Sequence, residues 1–239
     1  MDIYTKEYKI LSCDVDPMRR LRLSRLFTML QEAAIAHTEA LGAGRAKTLD
    51  KGYLWVVTLQ QAKIARLPVY DERIRLLSAP GETMHSIFPR YYRIEDAQGN
   101  ELVNASALWT LMNMDTRAMV FPHEAGVSVP GAKPGWKTFF PSPPKLPASG
   151  EETEFTVPYS YTDINGHMNN TKYIDLAEDL MPCDLRGARA AEVSVEYTGE
   201  AKCGDRLLLS QSAEEGRFLM SGKTEKRLFR LGIIYTNQK

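Results

Sequence analysis

Between Pro130 and Gly150 the chain carries six of its thirteen prolines, Pro130, Pro134, Pro141, Pro143, Pro144 and Pro147, with Gly131 and Gly135 among them. Proline has no amide hydrogen to give to a sheet interior, so this run reads as an extended linker that divides the chain. The patterned regions on either side share one order of elements. The first opens with an alternating strand at Ile3 to Leu11. A helix follows over about Ser24 to Leu41, with Leu26, Phe27, Leu30, Ala33, Ala34, His37 and Leu41 on one face and Gly42 closing it. Strand patterns then run at Tyr53 to Ala65, Arg73 to Ala79, Ser86 to Asp96, Leu102 to Asn113 and Ala118 to Val120, with Ala97-Gln-Gly-Asn100 as a hairpin turn. The second region has a strand at Glu154 to Tyr159, a helix from about Asn169 to Met181, and strands near Ala191 to Tyr197, Asp205 to Ala213, Arg217 to Lys223 and Leu228 to Tyr235.

One long helix among several antiparallel strands must cover one face of its sheet, so each half is expected to be an α+β unit with a sheet wrapped around the helix. The halves also align residue by residue. Asp16 falls on Asp163 and Gln31 on Glu178 at one offset, while Lys63 falls on Glu196 and Arg73 on Arg206 at another. The change of offset places an insertion in the connector from Ala43 to Gly52. Under these offsets Met18 stands for Asn165, Arg20 for His167 and Leu67 for Glu200. A polar trio present in one copy only points to chemistry in the second half.

The trio's first two members lie in Tyr161-Thr-Asp-Ile-Asn-Gly-His-Met-Asn-Asn170, where a carboxylate, an amide and an imidazole occupy five positions. Tyr173, Ile174, Ala177, Leu180 and Met181 follow at helical spacing. A helix start offers free amides and a positive dipole end, which suit an oxygen that gains charge during acyl transfer. The same residue types also serve as caps and turn formers.

The 30 basic and 30 acidic side chains cancel, which removes the global electrostatic case for nucleic acid or an anionic membrane. Cys13, Cys183 and Cys203 are odd in number and lack disulfide or zinc-ligand spacing, so a reducing cytoplasm is the expected location. No window approaches ~18 apolar residues and no signal pattern opens the chain, so neither a membrane span nor secretion is expected.

Asp163-Ile-Asn-Gly-His-Met-Asn-Asn-Thr-Lys-Tyr173 resembles the Asp-x-Asn-x-His-x-Asn-Asn-x-Lys-Tyr segment of the acyl-acyl carrier protein (acyl-ACP) thioesterases. Val195-Glu-Tyr-Thr-Gly-Glu-Ala201 is similar to the family's later Glu-Tyr-x-x-Glu-Cys segment. Leu54-Trp-Val-Val-Thr58 and Ser106-Ala-Leu-Trp-Thr-Leu-Met-Asn113 resemble two landmarks of its first half. The resemblance implies a tandem, or double, hotdog: residues 1–129 as an N-terminal hotdog with the acyl-chain pocket, 130–150 as the linker, and 151–239 as a C-terminal hotdog with the catalytic residues. It implies hydrolysis of a fatty acyl-ACP thioester to free fatty acid and holo-carrier protein, with no metal or organic cofactor.

In that reading Glu200 and His167 are the acid/base pair and Asn165 orients water or substrate. Asp163 either orients the cluster or is the nucleophile of a transient anhydride, and backbone amides from Gly166 to Asn169 hold the oxyanion. Ala201 stands where many members carry Cys, so a cysteine nucleophile cannot act there; Cys203 is expected to be a buried or half-buried thiol. The expected acyl pocket is lined by Leu26, Phe27, Leu30, Trp55, Val57, Leu59, Leu108 and Trp109. An acidic carrier would meet local basic patches at Arg19, Arg20, Arg22 and Arg25 and at Lys202 and Arg206. A monomer or homodimer is expected. An acyl-CoA thioesterase, a hotdog dehydratase and a non-catalytic acyl-binding module share the implied scaffold and are the alternatives.

Overall fold

The computed structural model describes residues 3–132, 134–136, 142–143, 151–182, 185, 188–214 and 216–236. Most of the proline-rich linker and Cys183 therefore lie outside the described residues. The chain divides into two compact units, one of residues 1–21 and 26–140, the other of residues 22–25 and 141–239.

The first unit contains β1 (Tyr4–Lys9), most of α1 (Leu23–Ala40), β2 (Tyr53–Ile64), β3 (Arg73–Pro80), β4 (Ile87–Asp96), β5 (Glu101–Asn113) and the short β6 (Met119–Val120). The strands pair antiparallel in the order β1-β3-β4-β5-β2, with β6 on β5. The apolar stripe read on α1 is the buried one: Leu26, Phe27 and Ala33 are fully inaccessible, and Leu30, Ala34 and His37 are buried. Each large apolar side chain so buried contributes roughly 1.5–3 kcal/mol. The β4–β5 hairpin turns where expected. Gly99 takes φ 85°, and Asp96 Oδ1 accepts the Gln98 and Asn100 amides at 2.9 Å each.

The face of this sheet that meets α1 is marked by Arg90 on β4. Its guanidinium donates to Thr38 Oγ1 (2.8 Å) and Ser78 Oγ (3.1 Å) and lies 3.1 Å from His37 Nδ1. These three neighbours are neutral or weakly basic, and burial pulls the arginine below its ordinary value. Strand alternation then puts Phe88, Arg90 and Tyr92 on that face, opposite Trp109, Ala107 and Ala105 of β5.

The second unit repeats the plan with β7 (Glu151–Thr156), α2 (Lys172–Leu180), β8 (Arg189–Tyr197), β9 (Arg206–Glu214), β10 (Arg217–Lys223) and β11 (Arg227–Thr236). Its antiparallel order is β7-β9-β10-β11-β8, the order of the first unit element for element. Tyr173 on α2 packs its ring 4.6 Å from Phe229 and 5.7 Å from Tyr197. Both units are thus α+β, with one principal helix against an antiparallel sheet. Among the described residues, no helix is long and apolar enough to cross a membrane.

Candidate active site

The segment from Thr162 to Met168 is a tight loop closed by an antiparallel bridge between its two ends. The Asp163 amide donates to His167 O at 2.9 Å, and the Gly166 amide returns to Asp163 O at 3.0 Å. Gly166 takes φ 74°, a conformation open to glycine at little cost. Asp163 Oδ1 accepts the Asn165 amide at 2.8 Å, an Asx turn that pins the loop from inside.

The loop is stitched to the chain beyond β8. Met168 N donates to Ala201 O at 2.7 Å, and His167 pairs with Lys202 in an antiparallel bridge. Met168 and Ala201 point inward, at 3% and 0% exposure. Their neighbours His167 and Glu200 therefore emerge on the other side, with His167 Nε2 3.6 Å from Glu200 Oε2. That separation is beyond a hydrogen bond but within reach of one through a small rotation or a bridging water. Asn165 is exposed on the turn, and Asp163 is held by the turn it makes. His167 and Glu200 are thus brought together, while Asn165 flanks them.

The helix begins at Lys172, three residues later than its sequence pattern predicts. Asn169 is the reason: its Oδ1 accepts both the Thr171 amide (3.0 Å) and the Thr171 hydroxyl (2.8 Å), and its carbonyl accepts the Lys172 amide. Sequence reasoning used only the Asn169 backbone amide and gave its side chain no role, although Asn is a strong former of turns that bond the backbone two residues on. Asn169→Ala removes the acceptor of both Thr171 bonds and is expected to cost about 1 kcal/mol, read as a lowered urea midpoint.

The backbone donors expected to hold the oxyanion are largely taken. Of the amides from Gly166 to Asn169, those of Gly166, Met168 and Asn169 are donated to carbonyls of the chain itself, so they are not free to hold an oxyanion.

The first unit carries the same loop backbone. Val15 bridges Leu21 as Thr162 bridges Met168, and Arg20 bridges Val69 as His167 bridges Lys202. Asp16 N donates to Arg20 O and Asp16 Oδ1 accepts the Met18 amide at 2.8 Å, matching Asp163 bond for bond. Arg19 (φ 63°) stands at the place of Gly166, and Asp71 (φ 71°) at the place of Gly204 (φ 87°). The first copy keeps this shape even with side chains that dislike it, at roughly 1–2 kcal/mol each. Asp163 therefore does a turn-forming job that Asp16 does equally in the copy without the trio.

Other predicted site residues fall out as follows. Arg20 is held by Asp16, with its Nε 3.0 Å and Nη2 2.9 Å from Oδ2, so it is not a free docking charge as expected. Arg19, Arg22 and Arg206 are exposed and Arg25 is half-buried. Leu26, Phe27, Leu30, Val57 and Trp109 are buried, and Trp55 and Leu108 are half-buried. They do not line one slot, however. Val57 pairs with Trp109 and Trp55 with Leu111, but a bulge between Val57 and Leu59 shifts the register so that Leu59 pairs with Leu108. Leu108 neighbours Trp109 in the strand, so Leu59 and Leu108 lie on the face turned away from α1.

Cys203 is exposed, not buried as expected. It occupies the tip of a turn in which Asp205 N donates to Lys202 O (3.1 Å) and Gly204 supplies the positive φ. A cavity of about 550 Å³ in the first unit has Gln61, Lys63, Arg93, Asn104, Ser106 and Trp136 in its lining, so it does not involve the predicted acyl-pocket residues. Among the described residues no cluster of three metal-ligating side chains occurs.

Two family models match the chain: the acyl-ACP thioesterase N-terminal domain over residues 1–123 and the acyl-ACP thioesterase C-terminal domain over residues 145–235. A chloroplastic palmitoyl-acyl carrier protein thioesterase of Cuphea hookeriana is 26% identical over 229 residues, covering 87% of this chain and 53% of that protein. The chain thus spans about half the length of this curated relative. Among solved structures, an acyl-ACP thioesterase from Bacteroides thetaiotaomicron superposes with a TM-score of 0.80 at 23% identity, covering 98% of each chain. The 12:0-ACP thioesterase from Umbellularia californica superposes with a TM-score of 0.82 at 19% identity, covering 98% of this chain and 97% of its own. At these identities the superpositions speak for the fold.

Proposed function

Because the chain belongs to the acyl-ACP thioesterase family, we propose that it hydrolyses the thioester of a fatty acyl-acyl carrier protein, releasing free fatty acid and holo-carrier protein. The two units are read as tandem hotdogs, the second bearing the reacting groups and the first housing the acyl chain. The observation that carries this reading is the approach of His167, in the Asp-x-Asn-x-His segment, to Glu200, in the Glu-Tyr-x-x-Glu segment (3.6 Å), in the one copy of the repeat that has the polar trio.

Glu200 takes a proton from water as the water oxygen bonds to the carbonyl carbon. The carbon–sulfur bond then breaks with its electron pair on sulfur, and a proton relayed through His167 neutralises the departing thiolate. Asn165, exposed beside them, orients the water or the ester. Asp163 holds the loop. Ala201 has no side chain that could attack, so the route needs no cysteine. The carrier's acidic surface is met by Arg19, Arg22, Arg25 and Arg206.

Thiol release from matched acyl-ACP and acyl-CoA esters tests the reading. Turnover with kcat/KM favouring the carrier ester is expected. Preference for the CoA ester would make the protein an acyl-CoA thioesterase, and tight acyl binding without turnover would make it a binding module.

A further inference from the structure

We propose that the Lys202 ammonium, rather than docking the carrier, faces the thioester carbonyl and stabilises its oxyanion. This rests on the hydrolase reading above and adds a catalytic residue to it.

Lys202 is the cross-strand partner of His167. Residues paired across an antiparallel bridge project to the same side, with Cβ atoms about 4.5–5.5 Å apart. The inward positions of Met168 and Ala201 confirm which side that is, and it is the side on which Glu200 approaches His167. His167, Glu200 and Lys202 therefore project an acid/base pair and a cation from one side of the paired strands.

The cation is available. Lys202 is exposed, and among the described residues its ammonium makes neither an ion pair nor a hydrogen bond; the carboxylate of Asp205 bonds the Lys202 backbone amide instead (2.8 Å). By contrast Lys172, the next lysine toward the loop, is tied to Asp175 at 2.7 Å.

The usual alternative is largely occupied. Of the eight amides from Asn165 to Lys172, those of Asn165, Gly166, Met168, Asn169, Thr171 and Lys172 are already donated to oxygens of the chain, leaving those of His167 and Asn170. Charge developing on a carbonyl oxygen beside His167 has few backbone donors, so a neighbouring ammonium carries more of it.

The internal repeat acts as a control. Where Arg20 replaces His167 and Leu67 replaces Glu200, the residue in the place of Lys202 is Val69, although the bridge itself is kept. Lys202 thus goes with the reacting groups and not with the backbone shape they sit on. A docking role would place no such demand on the position facing His167.

The test is steady-state hydrolysis of one acyl-ACP ester by wild type, Lys202→Met and Lys202→Arg, each checked for folding by circular dichroism. Lys202→Met is expected to lower kcat about 10- to 100-fold with KM changed less than about threefold, because the site is more solvated than a closed oxyanion hole. Lys202→Arg should recover most of the loss. A raised KM with unchanged kcat would return Lys202 to carrier docking and overturn the proposal, as would unchanged kinetics in Lys202→Met. Absence of turnover in wild type would instead overturn the hydrolase reading on which it depends.

Discussion

His167→Ala is expected to lower kcat for acyl-ACP hydrolysis by about 10²- to 10⁴-fold, the range for loss of a general acid/base. The fold should be spared, because the structural bonds at this position are made by the backbone: His167 O accepts the Asp163 amide and the residue bridges Lys202. Unfolding by urea and near-ultraviolet circular dichroism should therefore match wild type while thiol release falls. Asp163→Asn supplies the contrast. An Asn Oδ1 can accept the Asn165 amide as the Asp does, so the turn survives. If Asp163 only holds the loop, the variant retains activity within about tenfold of wild type, well above the level of His167→Ala. A loss as deep as that of His167→Ala would make Asp163 the nucleophile of an anhydride route.

Glu178→Gln is expected to remove a pH dependence of stability that wild type carries. Glu178 on α2 receives the Leu23 amide at 3.3 Å, and its Oε2 is buried with no hydrogen-bond partner. Burial pushes its carboxyl up from 4.5 to about 7, a rise that Asp175 reinforces and that Arg22 and the Leu23 and Ser24 amides only partly oppose. Below pH ~4.5 the group is protonated in both folded and unfolded chains and contributes fully. As pH rises, the unfolded chain ionises first and the folded state loses ground until the folded carboxyl ionises as well, near pH 7. A rise from 4.5 to about 7 corresponds to about 3 kcal/mol. Urea unfolding at pH 5 and pH 8 should show wild type losing stability on this scale and Glu178→Gln losing much less. Equal losses in both proteins would show that Glu178 is solvated when charged.

Much of this architecture is legible in the sequence because periodicity reports burial. The stripe from Leu26 to His37 and the alternation in Arg217–Lys223 each fix an element within a residue or so. The repeat was legible too, since Asp16 and Asp163 make the same bonds in space that they suggest in sequence. What was hidden depends on a single residue of register or on which of two bonding partners wins. The bulge near Thr58 leaves no compositional mark, yet it moves Leu59 off the face of Val57 and Trp109 and onto that of Leu108. A small thiol near a strand end suggests burial for Cys203, but the turn that Gly204 closes carries it out to solvent. Arg20 carries a docking charge in sequence but is held by Asp16 in space, and Glu178 shows nothing of its burial because exposed and buried carboxylates are spelled alike. The charge of Lys202 is plain in sequence, but only the bridge makes it the cross-strand partner of His167.

The twin loops also mean that the chain already contains an unfurnished workshop. The loop around Asp16 keeps the bends, bridges and left-handed positions of its counterpart, and lacks only the tools. Met18→Asn, Arg20→His, Leu67→Glu and Val69→Lys would furnish it through side chains, on bridges and bends that the two copies already share. In the proposed reading, the difference between a reacting half and a supporting half thus rests on a handful of side chains, and that boundary is open to redrawing by substitution.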